Sequence, residues 1–116
     1  MNKREAGSSY ETLAVKYLEE AGYRILQQNF RSREAEIDLI AMDGRYLVFV
    51  EVKYRKNRKE GSAAEAVDER KKRRIRMGAL FYLKEKCCPL SAPVRFDVVS
   101  IDEGKIRLFR NAFPFR

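Results

Sequence analysis

The stretch from Glu34 to Lys53, E-A-E-I-D-L-I-A-M-D-G-R-Y-L-V-F-V-E-V-K, constrains the fold more than any other. Two runs rich in Val, Ile, Leu and aromatics flank the pair Asp43-Gly44, and Asp-Gly between alternating apolar residues is the strongest short-range hairpin signal. With Asp43 and Gly44 as a two-residue turn, Met42 faces Arg45, Ile40 faces Leu47, Asp38 faces Phe49 and Glu36 faces Glu51. Strand side chains alternate faces. One face therefore carries Ile37, Leu39, Ala41, Tyr46, Val48, Val50 and Val52, an apolar surface for a core. The other carries Glu36, Asp38, Glu51 and Lys53.

Like charges opposed across a sheet weaken it, so Glu36 against Glu51, with Asp38 on the diagonal, calls for an explanation. A divalent cation turns the repulsion into a binding site, because hard carboxylate oxygens at this separation are what Mg2+ takes beside water and substrate phosphate. The hairpin thus predicts a metal site on a sheet face. Asp38, Glu51 and Lys53 would share it, the two carboxylates holding metal while the lysine orients a water or offsets charge building on a phosphoryl group. E-x-K alone is a weak signal, since it recurs by chance in charged proteins. Its weight here comes from the hairpin register and from the basic segment that begins at Lys53.

Net charge is +8, and the segment from Lys53 to Arg76 holds 11 basic and 4 acidic residues, so nearly all the excess sits there. A basic block directly after an acidic hairpin points to a polyanionic partner, nucleic acid before all others; the plainer reading is a solvated basic face. The chain has no histidine, which removes Ser-His-Asp and Cys-His chemistry and His-ligated zinc. Cys87 and Cys88 are adjacent and suit neither a long-range disulfide nor a zinc site. They read as thiols of a reducing compartment. No apolar run approaches the ~18 residues of a membrane span and no signal-peptide core comes after the charged N-terminus, so the expectation is a cytoplasmic protein with no membrane partner. The 116 residues suit one domain, residues 1–116.

In chain order, a first helix is expected from an N-cap at Ser8 or Ser9 to about Ala21, with Tyr10, Leu13, Ala14, Tyr17, Leu18 and Ala21 inward and a stop at Gly22. Glu11 lies at the edge of that stripe. Tyr23 to Phe30 reads as a first strand and Arg31 to Arg33 as a basic turn into the hairpin. Beyond Lys53, Y-R-K-N-R-K-E-G-S reads as a basic loop in which Arg55, Lys56, Arg58 and Lys59 could track a phosphate backbone. Ser62 and Glu65 form an S-x-x-E capping box, with a second helix from about Ala63 to Lys86. Its inward stripe is Val67, Lys71, Ile75, Gly78, Ala79 and Tyr82. Lys71 on that face can snorkel outward or reach an anionic site, and Arg74 spreads with other cations around the remaining faces. Val94 to Ile101 and Lys105 to Phe109 read as two more strands. Asp97 is alone in its strand and is expected to be a hydrogen-bonded structural carboxylate, and Phe113 is expected to pack the tail back. The result is an α/β chain with a three-stranded meander backed by helices.

Several motifs bear a resemblance: E-x-L-A-x-x-Y-L at Glu11 to Leu18, E-I-D-L-I at Glu36 to Ile40, V-F-V-E-V-K at Val48 to Lys53, A-E-A-V-D at Ala64 to Asp68, R-F-D-V-V at Arg95 to Val99 and N-A-F at Asn111 to Phe113. Over nearly its whole length the chain resembles the uncharacterised bacterial family YraN, or UPF0102. That family carries the D-(x)n-E-x-K site of the restriction-endonuclease-like PD-(D/E)xK superfamily. The resemblance implies an αβββαβ core with a mixed central sheet flanked by helices, and catalytic roles for Asp38, Glu51 and Lys53. It is also similar to archaeal Holliday-junction resolvases, in which a first-helix glutamate joins the metal site; Glu11 holds the matching position. The chain departs from the family pattern at Ala35, where Gly usually precedes E-I-D, and at Tyr54, where a small Thr commonly comes after E-x-K.

Three readings stay open on these residues. The leading one is a Mg2+- or Mn2+-dependent endonuclease acting on DNA, branched or otherwise structured. Asp38 and Glu51 bind metal, Glu36 and Glu11 assist, and Lys53 positions the nucleophile. Lys71, Arg74 and the basic loop (Arg55, Lys56, Arg58, Lys59) hold phosphates. Double-strand cleavage or junction resolution would call for two sites and hence a homodimer. The second is a nucleic-acid-binding module of the same fold without turnover, serving a helicase or recombination partner. In the third, Glu36 and Glu51 pair with Lys53, Lys71 or neighbouring arginines in a surface network.

Overall fold

A computed structural model of the chain describes residues 3–33, 35–55, 67–89, 91–102 and 105–115. Helix α1 (Lys3–Glu20) is followed by strands β1 (Arg24–Ser32), β2 (Ala35–Asp43) and β3 (Tyr46–Arg55), helix α2 (Glu69–Glu85), and strands β4 (Val94–Asp102) and β5 (Lys105–Phe109). The five strands form one sheet in the order β1-β2-β3-β4-β5. β3 and β4 pair in parallel and every other neighbour pair is antiparallel. Parallel neighbours need a crossover, and α2 lies in it. This is a mixed α/β sheet flanked by helices, compatible with a restriction-endonuclease-like core.

Both faces of the sheet are buried, which revises the expectation of one apolar and one charged face. Leu39, Ala41, Val48 and Val50 pack with Ala14 and Leu18 of α1. Ile40, Leu47 and Phe49 pack with Ile75, Ala79, Tyr82 and Leu83 of α2. The acidic residues therefore occupy only one end of a largely apolar face. Ile37 also changes side. It lies in the α2 cluster with Ile40, and two residues three apart cannot share a face of a regular strand. The alternation breaks between them, around Asp38. Gly78 of α2 accommodates this: a Cβ there would come within 2.9 Å of Ile37 and 3.3 Å of the Ala35 Cβ.

The hairpin register differs from expectation by one turn position. Asp43 pairs with Tyr46 and Met42 with Leu47, so the turn residues are Gly44 and Arg45. Gly44 has φ +59, which suits the first central position of a type II′ turn, where glycine is preferred. Asp43 stays in the strand, and its carboxylate accepts from Arg95 at 2.7 Å. The ladder between the two strands ends at Leu39–Val50, so the expected Glu36–Glu51 pair does not form, and Glu36 pairs with Arg31 of β1 instead.

Other boundaries shift for local reasons. α1 begins at Lys3, so Ser8 and Ser9 lie inside it instead of capping it; Lys, Arg, Glu and Ala upstream are good helix formers and extend the helix. Its buried stripe is narrow, centred on Ala14 and Leu18, and Leu13 is 44% exposed. It ends before Gly22, φ +98. β1 runs on through Arg31 and Ser32, which the sequence placed in a turn, because both pair with β2. The register slips between Ile25 and Gln27, leaving Leu26 as an extra, exposed residue of a bulge. The capping box Ser62/Glu65 lies outside the described residues. The described part of the helix is capped by Asp68, whose side chain accepts from the Lys71 N–H at 2.9 Å.

Asp97 is the structural carboxylate expected. It is fully buried and accepts from Tyr23 Oη at 2.6 Å, Arg95 Nε at 2.9 Å and the Asn111 N–H at 3.0 Å. Burial, and after it the hydrogen bond to Asp97, push the Tyr23 hydroxyl up to about 12. Phe113 packs the tail back, stacked on Phe96 at 5.0 Å. Cys87 and Cys88 are free thiols.

Candidate functional site

Where β2 and β3 part, the chain places two carboxyl groups side by side. The Val52 N–H donates to Asp38 Oδ2 at 2.8 Å, so the carboxylate takes up a main-chain donor of β3 that no ladder carbonyl claims. Glu51, on the α2 side, is 4% exposed. Its carboxyl group lies beside that of Asp38, close enough that each acts on the other's ionisation.

The electrostatics derive from burial. Removal from water pushes the Glu51 carboxyl up to about 8; the neighbouring Asp38 adds to this, and Lys71 and Lys53 oppose it. Asp38 is raised above the ordinary carboxylate range for the same leading reason, against the Val52 N–H that favours its charged form. Glu51 Oε2 is buried without a hydrogen-bond partner. An orphaned buried acceptor is costly, and here it sits on a carboxyl that burial pushes upward, beside a second carboxyl raised for the same reason. A divalent cation fits such a donor set, since it offsets the charge of two neighbouring carboxylates and gives the unpaired oxygen a partner.

The remaining sequence-predicted residues fall at graded distances. Lys71 reaches back from α2 to place its Nζ 3.6 Å from Glu51 Oε1. Lys53 makes its influence on Glu51 through charge. Glu36 is turned toward cations, 3.5 Å from Arg31 and 4.0 Å from Arg74. Glu11 accepts from Asn29 Nδ2 at 3.0 Å; burial raises its carboxyl, and Asp38 and Glu36 are close enough to add to that rise. Among the described residues, no three acidic, histidine or cysteine side chains converge as a ready-made ligand group. The core of the site is therefore Asp38 and Glu51, with Lys53 and Lys71, while Glu36 and Glu11 flank it. Lys56, Arg58 and Lys59 lie outside the described residues, as does the side chain of Arg55.

Three supporting features escape the sequence reading. Asn29 holds Glu11 from a left-handed backbone position, φ 54, and nothing in its sequence context marks it. Arg31 faces Glu36 as its direct ladder partner, a pairing hidden by assigning Arg31 to a turn. Tyr54 stacks on Tyr10 of α1 at 3.9 Å, so the large residue after E-x-K lies against the first helix and leaves the carboxylates uncovered by its own ring.

Comparison with known proteins places these residues in a wider set. The model of the uncharacterised protein family UPF0102 matches residues 10–101. A UPF0102 protein of Lachnoclostridium phytofermentans is 50% identical over 113 residues, covering 97% of this chain and 96% of its own. Similar proteins occur in Vibrio campbellii, 47% identical over 96% of this chain and 93% of the relative, and in Symbiobacterium thermophilum, 44% identical over 95% and 97%. No helix among the described residues is long and apolar enough to cross a membrane.

Proposed function

The chain belongs to the uncharacterised protein family UPF0102, and on that premise we propose that it is a divalent-metal-dependent endonuclease that hydrolyses phosphodiester bonds of DNA, branched or structured DNA included. One observation carries the reading: the buried Glu51, whose Oε2 has no hydrogen-bond partner, set beside the half-buried carboxyl of Asp38. A structural role alone gives no reason to keep two acids together at a cost in stability.

Asp38 and Glu51 would hold Mg2+ or Mn2+, with Glu11 and Glu36 flanking them. The metal, when bound, supplies Lewis-acid activation of the phosphoryl group and a water of lowered pKa. The Val52 N–H fixes the Asp38 carboxylate, so one ligand direction is set before substrate arrives. Lys53 donates to the attacking water or to a non-bridging oxygen as negative charge builds there. Lys71, at 3.6 Å from Glu51, offsets charge on the carboxylates in the absence of substrate and offers a donor to a phosphate in its presence. Arg74 and Arg31, partly engaged by Glu36, add positive potential at the approach.

A second reading, a nucleic-acid-binding module of the same fold without turnover, is favoured by the lack of a third converging carboxylate among the described residues. The two separate in one assay. Purified protein is incubated with branched and duplex DNA in Mg2+ or Mn2+, wild type beside Asp38→Ala and Lys53→Ala. Cleavage by wild type alone supports the nuclease. Binding without cleavage in all three supports the module.

A further inference from the structure

A polar groove of about 810 Å3 lies between the edge strand β1 and the C-terminal half of α2. Asn29 and Arg31 line it from β1; Phe81, Lys84, Glu85 and Lys86 line it from α2. Three cations face one carboxylate. The Phe81 ring is 45% exposed although it is large and apolar, and the Arg31 side chain is 68% exposed. Lysines at a helix C-terminus offset the helix dipole, which accounts for Lys84 and Lys86 taken alone. It does not account for an aromatic ring held open to water between them and an arginine on the opposite wall.

Two residues of the groove also contact the acids that flank the carboxylate site. Arg31 on its wall pairs with Glu36, and Asn29 on its wall holds Glu11. Arg74, which meets the same Glu36, is twelve residues before Lys86 on one helix, or about 18 Å along the axis at 1.5 Å per residue. A duplex has its bases paired and stacked and cannot offer one to Phe81. A single strand can, and base stacking with backbone cations is how single strands are held without regard to sequence.

We propose that this groove binds a single-stranded nucleic-acid segment, with a base stacked on Phe81 and phosphates at Arg31, Lys84 and Lys86, and leads that strand toward the Asp38–Glu51 site. The proposal rests on the nuclease reading and deepens it by naming the substrate class: DNA with a single-stranded arm, such as a flap, a frayed end or a junction branch.

The test separates the groove from the chemistry. Binding of labelled oligo(dT) and of the matching duplex is measured by fluorescence anisotropy in EDTA, where no metal-dependent cleavage occurs. Phe81→Ala weakens oligo(dT) binding roughly tenfold with little change for duplex, and Phe81→Tyr restores it. Lys84→Ala with Lys86→Ala lowers the slope of log affinity against log salt by about 1.4, two phosphates at ~0.7 each. Because Phe81 is exposed, its replacement leaves the fold intact, checked by an unchanged unfolding midpoint. Wild type that fails to bind oligo(dT), or groove variants that bind it unchanged, overturns the proposal. So does a Phe81→Ala effect confined to self-association in sedimentation, which would make this face a contact between copies. If oligo(dT) binding depends on Phe81 while no DNA is cut in Mg2+, the groove stands and the nuclease reading fails. Cleavage lost in Asp38→Asn beside groove variants that bind normally gives the reverse.

Discussion

Glu51→Gln should stabilise the metal-free protein at neutral pH. Glu51 is raised from an ordinary value of 4.5 to about 8 by burial first and by Asp38 second. Between those values the folded chain keeps a proton that the unfolded chain releases, so stability falls as pH rises through the window. At pH 7 the gap from 4.5 is worth roughly 3 kcal/mol at 1.36 kcal/mol per unit. The group is only 4% exposed, so solvent screening removes little of this. Glutamine has the same shape and no charge, and its amide can donate to Asp38. The variant should therefore match wild type to within about 1 kcal/mol at pH 5 and exceed it by roughly 2–3 kcal/mol at pH 7, with the wild-type slope largely removed. Urea unfolding in EDTA, at half-unit steps from pH 5 to 8, reads this directly. A flat wild-type profile, or a variant less stable at pH 7, would refute the reasoning, because Glu51 would then be ionised and held by Lys71.

The same contacts carry three further expectations. Gly78→Ala adds helix propensity but drives a methyl to 2.9 Å from Ile37 and 3.3 Å from Ala35; we expect a net loss of about 1–2 kcal/mol by chemical denaturation, and a stabilised variant would show that β2 yields there. Asp97→Ala removes an acceptor of three donors and leaves Arg95 without its buried partner, which should cost about 3 kcal/mol or more; a loss under about 1 kcal/mol, measured the same way, would contradict the structural role given to Asp97. Lys53→Ala should lower metal-dependent cleavage on the order of 10²-fold with the unfolding midpoint unchanged, and full activity in that variant would remove Lys53 from the chemistry.

How much of the fold was written in the sequence depends on which forces act locally. The alternation of Leu39, Ala41, Val48 and Val50 marked the hairpin, and the helical spacing of Ile75, Gly78, Ala79 and Tyr82 marked α2, because burial of apolar surface imposes those periods. Lys71 could be aimed at an anionic site because it shares that stripe, and it does reach Glu51. The register was misplaced because Asp-Gly admits two turn settings, and Arg95, far later in the chain, holds Asp43 in the strand and decides between them. The break at Ile37 depends on Gly78 of another element, which no local pattern reveals. The same is true of Glu11, whose partner Asn29 is set by an unusual backbone angle. Acid pairs are legible as composition; the direction in which each acid points is a tertiary property.

The central claim is that the Asp38–Glu51 site gives up the proton that burial keeps on Glu51 when it takes a divalent cation. Titration calorimetry with Mn2+ at pH 7, repeated in buffers of different ionisation enthalpy, measures binding and proton release together. The account predicts saturable binding with about one proton released per metal, since a group raised to about 8 is still largely protonated at that pH, and loss of both signals in Asp38→Asn and Glu51→Gln. Absence of Mn2+ binding by the wild type, or binding that persists unchanged in both variants, would contradict it.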